Sequence, residues 1–257
     1  MTQHQLQGRS EKEILWFQRR DTLKAAAAWV AMGGLPAAMA QQRSNIVELR
    51  GDALLNGGRL QNGQTIMTGD QIQTGPGSNL MFVIGNSAFQ VRENSVMTVE
   101  RGSSLNSVSL LRMITGAVVS VWGKGSSRSI IMPTLTAGIR GTGVYAEVFA
   151  NQDNRSYFCN CYGTVDMESN GEKVLSQSNY HQAFWGEAAP RDGRRLTPAN
   201  AINHSDEELE FLAGLVNQQT AWQVAGKKGV KDGRGYMDPQ PGQMHPAQMP
   251  VMPPTTR

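Results

Sequence analysis

The sequence predicts an all-β fold, a sandwich or short β-roll, with a small C-terminal helix packed on it. Between Ile46 and about Glu168, short runs of β-branched and aromatic residues recur at roughly ten-residue spacing. Clusters of Gly, Asn, Asp, Ser and Pro separate these runs. The 28 glycines are spread along the middle of the 257-residue chain, which suits tight turns between strands better than a helical bundle.

In chain order the predicted strands are Ile46–Leu49, Gln64–Met67, Leu80–Ile84, Ala88–Val91, Val96–Val99, Ser107–Leu111, Ala117–Trp122, Ser129–Met132 and Gly143–Phe149. Turn formers sit between them at Asn56–Gly58, Thr68–Asp70, Gly75–Gly77, Gly85–Ser87 and Glu93–Ser95. Beyond Glu168 the pattern changes. Ser205 followed by Glu208 is a capping box, because the serine side chain can take the N3 amide while the glutamate returns to the serine amide. Leu209, Leu212, Leu215 and Val216 then recur at helical spacing, with Phe211 beside that stripe, so a helix is expected over 206–218. From Gly226 the chain is rich in Pro, Gly, Gln and Met; it cannot bury enough apolar surface to fix one conformation and is expected to be disordered. The expected organisation is a leader over 1–40, a β domain over 45–170, an extension carrying the helix over 171–225 and a tail over 226–257.

The leader reading rests on Arg19-Arg20, Leu23 and Lys24 ahead of an uncharged apolar stretch, Ala25–Ala40, that ends on the small-x-small site Ala38-Met39-Ala40. This resembles a twin-arginine signal peptide, although Thr22 stands where that pattern has Phe. The implied location is the periplasm, reached as a folded protein that could carry a cofactor with it. Sixteen weakly apolar residues interrupted by Gly33, Gly34 and Pro36 are short for a membrane span of ~30 Å. No membrane span is therefore expected once the leader is cleaved. The chain then keeps 19 basic and 18 acidic residues. Such balance offers no electrostatic footprint for nucleic acid.

Four ordered segments carry a family resemblance: Gly51–Asn56, Gly69–Ser78, Leu110–Val118, and Pro133-Thr134 leading to Arg140-Gly141-Thr142. Over roughly residues 45–170 the chain resembles the FecR domain, the periplasmic β-rich sensor domain of iron-uptake regulators. Those regulators carry an anti-sigma region ahead of a membrane span. Only eighteen residues precede Arg19, too few to fold and bind a sigma factor, so the resemblance is not expected to bring that signalling role with it. Gly138–Gly143 lacks the Lys-Ser/Thr and following helix of a phosphate loop, and reads as a structural turn in which Arg140 binds a carboxylate or carbonyls of the fold.

Chemistry concentrates in Tyr157–Gly163, which holds Cys159 and Cys161, the two cysteines of the chain. On a strand, residues two apart share a face with Cα atoms about 6.6 Å apart. Parallel Cβ vectors at that spacing suit a disulfide poorly unless the strand is bulged. Three readings stay open: a local disulfide or two half-buried thiols, a transition-metal or haem-iron site, and a redox-active dithiol. His181 and His204 could complete a tetrahedral shell begun by two thiolates, though each alone reads equally as a turn or surface residue. Some exported FecR-like proteins are similar in having a Tyr-x-Cys-x-Cys-Tyr-Gly strand, a later Tyr-His and an Asn-His-Ser/Thr-Asp-Glu-Glu-Leu helix start. That likeness groups Cys159, Cys161, His181 and His204 without giving them a role.

No Ser-His-Asp order, nucleophile elbow or His-Glu-x-x-His motif is present. The expected function is therefore non-catalytic: binding of a protein or small ligand in the periplasm, in envelope sensing or assembly. The alternatives are a metal- or haem-binding protein built on the four residues above, and a regulator of sigma-factor signalling.

Overall fold

The structure, a computed structural model, describes residues 44–103, 107–125, 127–229 and 231. The leader residues Arg19, Arg20, Ala38 and Ala40, and nearly all of the tail over 226–257, lie outside the described residues. Within them the fold is all-β with two short helices, and no helix is long and apolar enough to cross a membrane.

Two sheets, antiparallel but for one strand pair, lie face to face and share two long strands, giving a barrel-like sandwich. One sheet runs β1 (Ile46–Arg50), β5 (Asn79–Ile84), β6 (Ser87–Val91), β8 (Val108–Trp122), β11 (Gly143–Phe149), β12 (Arg155–Ser169), β14 (Gln182–Arg191), β15 (Arg194–Ala199). The other runs β3 (Gly58–Arg59), β2 (Ala53–Leu55), β4 (Gln71–Thr74), β7 (Val96–Arg101), β8, β9 (Arg128–Ile131), β10 (Thr136–Ile139), β12, β13 (Glu172–Ser178). Here the β8–β9 pair is parallel.

The strands β8 and β12 change sheets at a glycine. Gly116 (φ +80°) turns β8, and a Cβ there would lie 2.3 Å from the Ser95 Cα. Gly163 (φ +103°) turns β12, and a Cβ there would lie 2.6 Å from the Thr142 Cβ. Both corners need a residue with no side chain and a left-handed backbone.

The first sheet is buried on both faces. Leu80, Phe82, Phe89, Val118, Trp122, Val144 and Phe158 point between the sheets. Met81, Val83, Ala88, Val119, Val121, Tyr145 and Tyr157 point outward, under the helices. That is why Leu80–Ile84 reads as an unbroken apolar run rather than an alternation. The helices α1 (Asp206–Leu215) and α2 (Ala221–Ala225) cover this outer face, with Leu209, Leu212, Ala213 and Trp222 against it.

Several expectations differ from what folds. Gln64–Met67 is not a strand: Ile66 N–H donates to Asn45 Oδ1 (2.9 Å), Asn45 Nδ2 donates back to Ile66 O (2.8 Å), and Ser44 Oγ donates to Gln64 O (2.6 Å). Side chains of the arm before β1 thus supply the bonds a neighbouring strand would have given. The two runs either side of Gly116 are one fifteen-residue strand. The sheets also continue past Glu168 through β13, β14 and β15, so the β domain extends to Ala199. In β13 the residues turned inward include Ser176 and Ser178, which leaves no apolar alternation to read. The helix α1 stops at Leu215, three residues short of the expected end, and α2 carried no periodic signal.

At the edge of the first sheet, burial lifts the Glu48 carboxyl from its ordinary value of 4.5 to about 7, while Arg50 and a hydrogen bond from Asn79 pull it the other way. The folded state therefore holds this proton more tightly than the unfolded chain does. The stability it contributes is full below pH 4.5 and is lost as pH rises through about 7. Glu48→Gln should match the parent in denaturant unfolding at pH 4 and exceed it at pH 8. Parallel behaviour of the two proteins at both values would contradict this.

Candidate metal centre

Three segments meet on the outer face of the first sheet. Strand β12 supplies Cys159 and Cys161, the turn between β13 and β14 supplies His181, and the loop before α1 supplies His204. All four side chains are buried, none more than 1% exposed. In β12, Cys159 sits opposite Tyr145 of β11 and Ala183 of β14. The β11 register then slips, so that Val144 faces Asn160 and Gly143 faces Tyr162, with Cys161 as the extra residue. A bulge of this kind re-aims the side chain of the inserted residue.

The sulfurs stand 3.7 Å apart, as two free cysteines. A disulfide needs about 2.05 Å, so no bridge joins them, and both are fully buried thiols rather than half-buried ones. Cys159 Sγ is 3.7 Å from His181 Nδ1, Cys161 Sγ is 3.4 Å from His204 Nε2, and the two nitrogens are 3.0 Å apart. All four atoms lie within 4.8 Å of one another. Zinc bond lengths of 2.3 Å to sulfur and 2.0–2.1 Å to nitrogen give tetrahedral edges of about 3.8, 3.5 and 3.4 Å for S–S, S–N and N–N. The S–S edge and the two S–N edges just given are close to these, the N–N edge is shorter, and no pair in the set is more than 4.8 Å apart. Four donors this close leave no room for a porphyrin plane between them.

Hydrogen bonds fix the tautomers. His204 Nδ1 lies 2.6 Å from the carbonyl oxygen of Ile202, which only accepts, so that nitrogen carries the proton. His181 Nε2 lies 2.8 Å from Asp206 Oδ1 and donates to the carboxylate in the same way. In neutral rings the remaining nitrogens, His181 Nδ1 and His204 Nε2, then point lone pairs at each other across 3.0 Å. One proton could bridge two lone pairs; a cation satisfies both and the sulfurs as well. Each imidazole thus has the carbonyl or carboxylate partner that a metal-bound histidine uses to hold its orientation.

The backbone pays for this placement. His181 adopts φ +44° and Asn203, just before His204, adopts φ +58°, conformations that cost a non-glycine residue roughly 1–3 kcal/mol. The loop is clamped where it is needed. Tyr157 Oη donates to Asn200 O (2.8 Å) and accepts from Ile202 N–H (3.1 Å), while Asn203 Nδ2 donates to Glu147 Oε2 (2.9 Å). Tyr145 stacks on His204 at 4.7 Å and Trp222 on His181 at 5.4 Å. The chain has 5 tyrosines, and Tyr145, Tyr157, Tyr162 and Tyr180 all belong to this buried cluster.

The electrostatics make the two thiols unlike. Burial opposes ionisation of Cys159, but the hydrogen donated by Cys161, the His204 ring and the His181 ring together hold its pKa well below the ordinary thiol range. At Cys161, burial, the bond it donates to Cys159 and the Cys159 charge act together and raise it. His181 is raised because the Asp206 carboxylate and Cys159 outweigh burial. Asp206 is held far below the carboxylate range despite burial, by His181 and by Lys231 and Lys228.

The other residues singled out in the sequence lie elsewhere. Arg140 pairs with Asp166 through Nε and Nη2 (2.9 and 2.6 Å) in an exposed turn, and a strand follows. Thr142 Oγ1 donates to Tyr162 O beside the Gly163 corner. Thr134 Oγ1 meets Ser156 Oγ and Gly186 O, each at 2.7 Å, and with Pro133 it borders a polar groove of about 640 Å³. Gly141 turns the chain at φ +67°. Thr142 also reaches Asn160 Oδ1 (3.1 Å), so it supports the residues either side of Cys161, whereas Thr134 is bonded at the start of β12; none of these residues supplies a donor to the site. Sequence reading passed over Asp206, Tyr180 and Trp222 as parts of the site. Asp206 was visible only as the residue after the helix cap.

The chain matches no family model and no curated protein. Two crystal structures of a candidate anti-sigma factor from Parabacteroides distasonis align with it, at 10% and 11% identity and a TM-score of 0.42 each. They cover 56% and 58% of this chain, which in turn spans 65% and 66% of theirs, just under two thirds of their length. A similarity of that degree carries no functional argument.

Helix α1 is locked over the site by a buried ion pair, Arg92 Nη2 to Glu208 Oε1 at 2.5 Å, while the other Glu208 oxygen closes the capping box on Ser205 N–H. Removing one partner of a buried pair leaves an uncompensated charge. Arg92→Met should lower stability by about 3–5 kcal/mol. Adding Glu208→Gln, which keeps the cap, should restore most of it in denaturant unfolding. A double variant as unstable as the single one would contradict the pairing.

Proposed function

We propose that this chain is an exported FecR-like protein, acting in the periplasm, whose β domain and C-terminal helices are joined by one transition-metal ion of the zinc class. Cys159, Cys161, His181 and His204 are its ligands. The observation that carries the reading is the convergence of two sulfurs and two imidazole nitrogens, all within 4.8 Å of one another, in a buried interior. Tetrahedral S₂N₂ favours zinc over the tetragonal preference of Cu(II), and two thiolates neutralise a divalent charge in a place where water cannot.

Four protein ligands complete the shell and leave no open position for substrate, which supports a structural ion and a non-catalytic protein. The ion would link β12, the β13–β14 turn and the entry to α1. The resulting rigid outer face is then available to a partner in envelope sensing or assembly. The FecR-like segments and the leader pattern support that placement.

Protein purified from its native compartment should contain one zinc-class ion per chain. Cobalt substitution should give the intense visible bands of a tetrahedral thiolate site. Cys159→Ser should lose stoichiometric metal and unfold at lower temperature, as chelator-treated parent protein should. A metal-free protein whose stability is unchanged by Cys159→Ser would overturn the proposal.

A further inference from the structure

An ion can reach four buried donors only if part of the wall around them moves. Cys159 is held by strand pairing on both edges, and His181 N–H is bonded to Cys161 O at 2.8 Å, so that side is fixed by the sheet. The helix α1 is fixed by the Arg92–Glu208 pair. The remaining cover is the chain after α1. Trp222 lies over the His181 ring, with interplanar angle 23°, and its edges meet Tyr162 and Tyr180.

Beyond α2 the chain reverses at Gly226 (φ +67°) and brings two lysines back to the site. Lys228 Nζ lies 2.8 Å from Asp206 Oδ2, and Lys231 Nζ lies 2.7 Å from Asp206 Oδ1. The same Oδ1 accepts from His181 Nε2. This cover is therefore held by the ring of a proposed ligand and by the carboxylate behind that ring. It is also tied to α1, where Trp222 Nε1 donates to Glu210 Oε1 (2.6 Å) and Lys228 Nζ reaches Glu210 Oε1 (3.3 Å), but α2 itself has five residues, with Trp222 its buried one, and Val224 is 73% exposed. A helix of that length has no stability of its own.

We propose that residues 217–228, with Lys231, form a strap whose docking is coupled to metal occupancy. This rests on the metal-site reading above. The ion enters and leaves when Trp222 lifts from His181, and a filled site, by fixing His181 and polarising its N–H toward Asp206, holds the strap down. Coupling of this kind is reciprocal: whatever the docked strap adds to metal affinity, the metal adds to docking.

The test is release of cobalt from the loaded full-length protein into an excess of chromogenic chelator. The proteins compared are the parent, Trp222→Ala, and the double variant Lys228→Met/Lys231→Met, whose changes lie toward the surface. Both variants should release metal faster, by about 10- to 100-fold, the range typical of lost outer-sphere support. Their cobalt spectra should match the parent's, because the donor set is intact. Parental release rates in the double variant would overturn the strap, as would a changed cobalt spectrum in it, since the lysines would then be shaping the donor set rather than covering it. A parent chain that takes up no cobalt would defeat the metal reading and the strap together.

Discussion

Two imidazole nitrogens, which in neutral rings each carry a lone pair, face each other across 3.0 Å in a buried interior, beside two sulfurs 3.7 Å apart. Their protons are committed elsewhere, to Ile202 O and Asp206 Oδ1, so rotation of either ring would break a bond to an acceptor that has been placed to receive it. In such surroundings an unsatisfied polar group is costly. Much of the surrounding architecture serves this arrangement. The bulge at Cys161, the left-handed His181 and Asn203, the clamp from Tyr157 and Glu147, and the stacked Tyr145 hold the donors where a single cation would satisfy all four.

The sheet that carries the site is unusual in being buried on both faces, and this explains the division of labour along β12. Phe158 and Asn160 turn toward the other sheet, where Asn160 is bonded to Gly163 O and to Ser176. Tyr157, Cys159 and Cys161 turn toward the helices. At Gly163 the strand leaves for the second sheet. One strand therefore builds the core, supplies two donors and joins the layers. The helices add what the sheet cannot: a ligand at the α1 entry and an acidic partner, Asp206, in its first turn.

The all-β class was legible because strand periodicity and turn chemistry are local signals, and so was the Ser205–Glu208 cap. Of the three strands after Glu168, β13 was hidden because its buried positions are Ser176 and Ser178, while β14 and β15 bury only short apolar stretches around Ala183-Phe184 and Leu196 that show no sustained alternation. The four donors could be grouped from the sequence only through likeness to other exported chains. Residues 159 and 204 are brought together by a long excursion through three strands, which no spacing rule reports. The reading of His204 as an ordinary residue before a helix cap was reasonable locally; only its burial and the Ile202 carbonyl behind it show otherwise. Trp222, Lys228 and Lys231 left no trace, because a short helix and two lysines near a Pro- and Gly-rich tail look like solvated chain until Asp206 is seen beneath them.

What the account claims most centrally is that one ion sits among these four atoms with both sulfurs and both nitrogens bound. X-ray absorption at the metal edge of natively purified protein tests this most directly. The account predicts a four-coordinate ion with two sulfur neighbours at about 2.3 Å and two imidazole nitrogens at about 2.0 Å. A shell of oxygen neighbours with no sulfur, or protein that carries no metal at the edge of any first-row transition element, would contradict it.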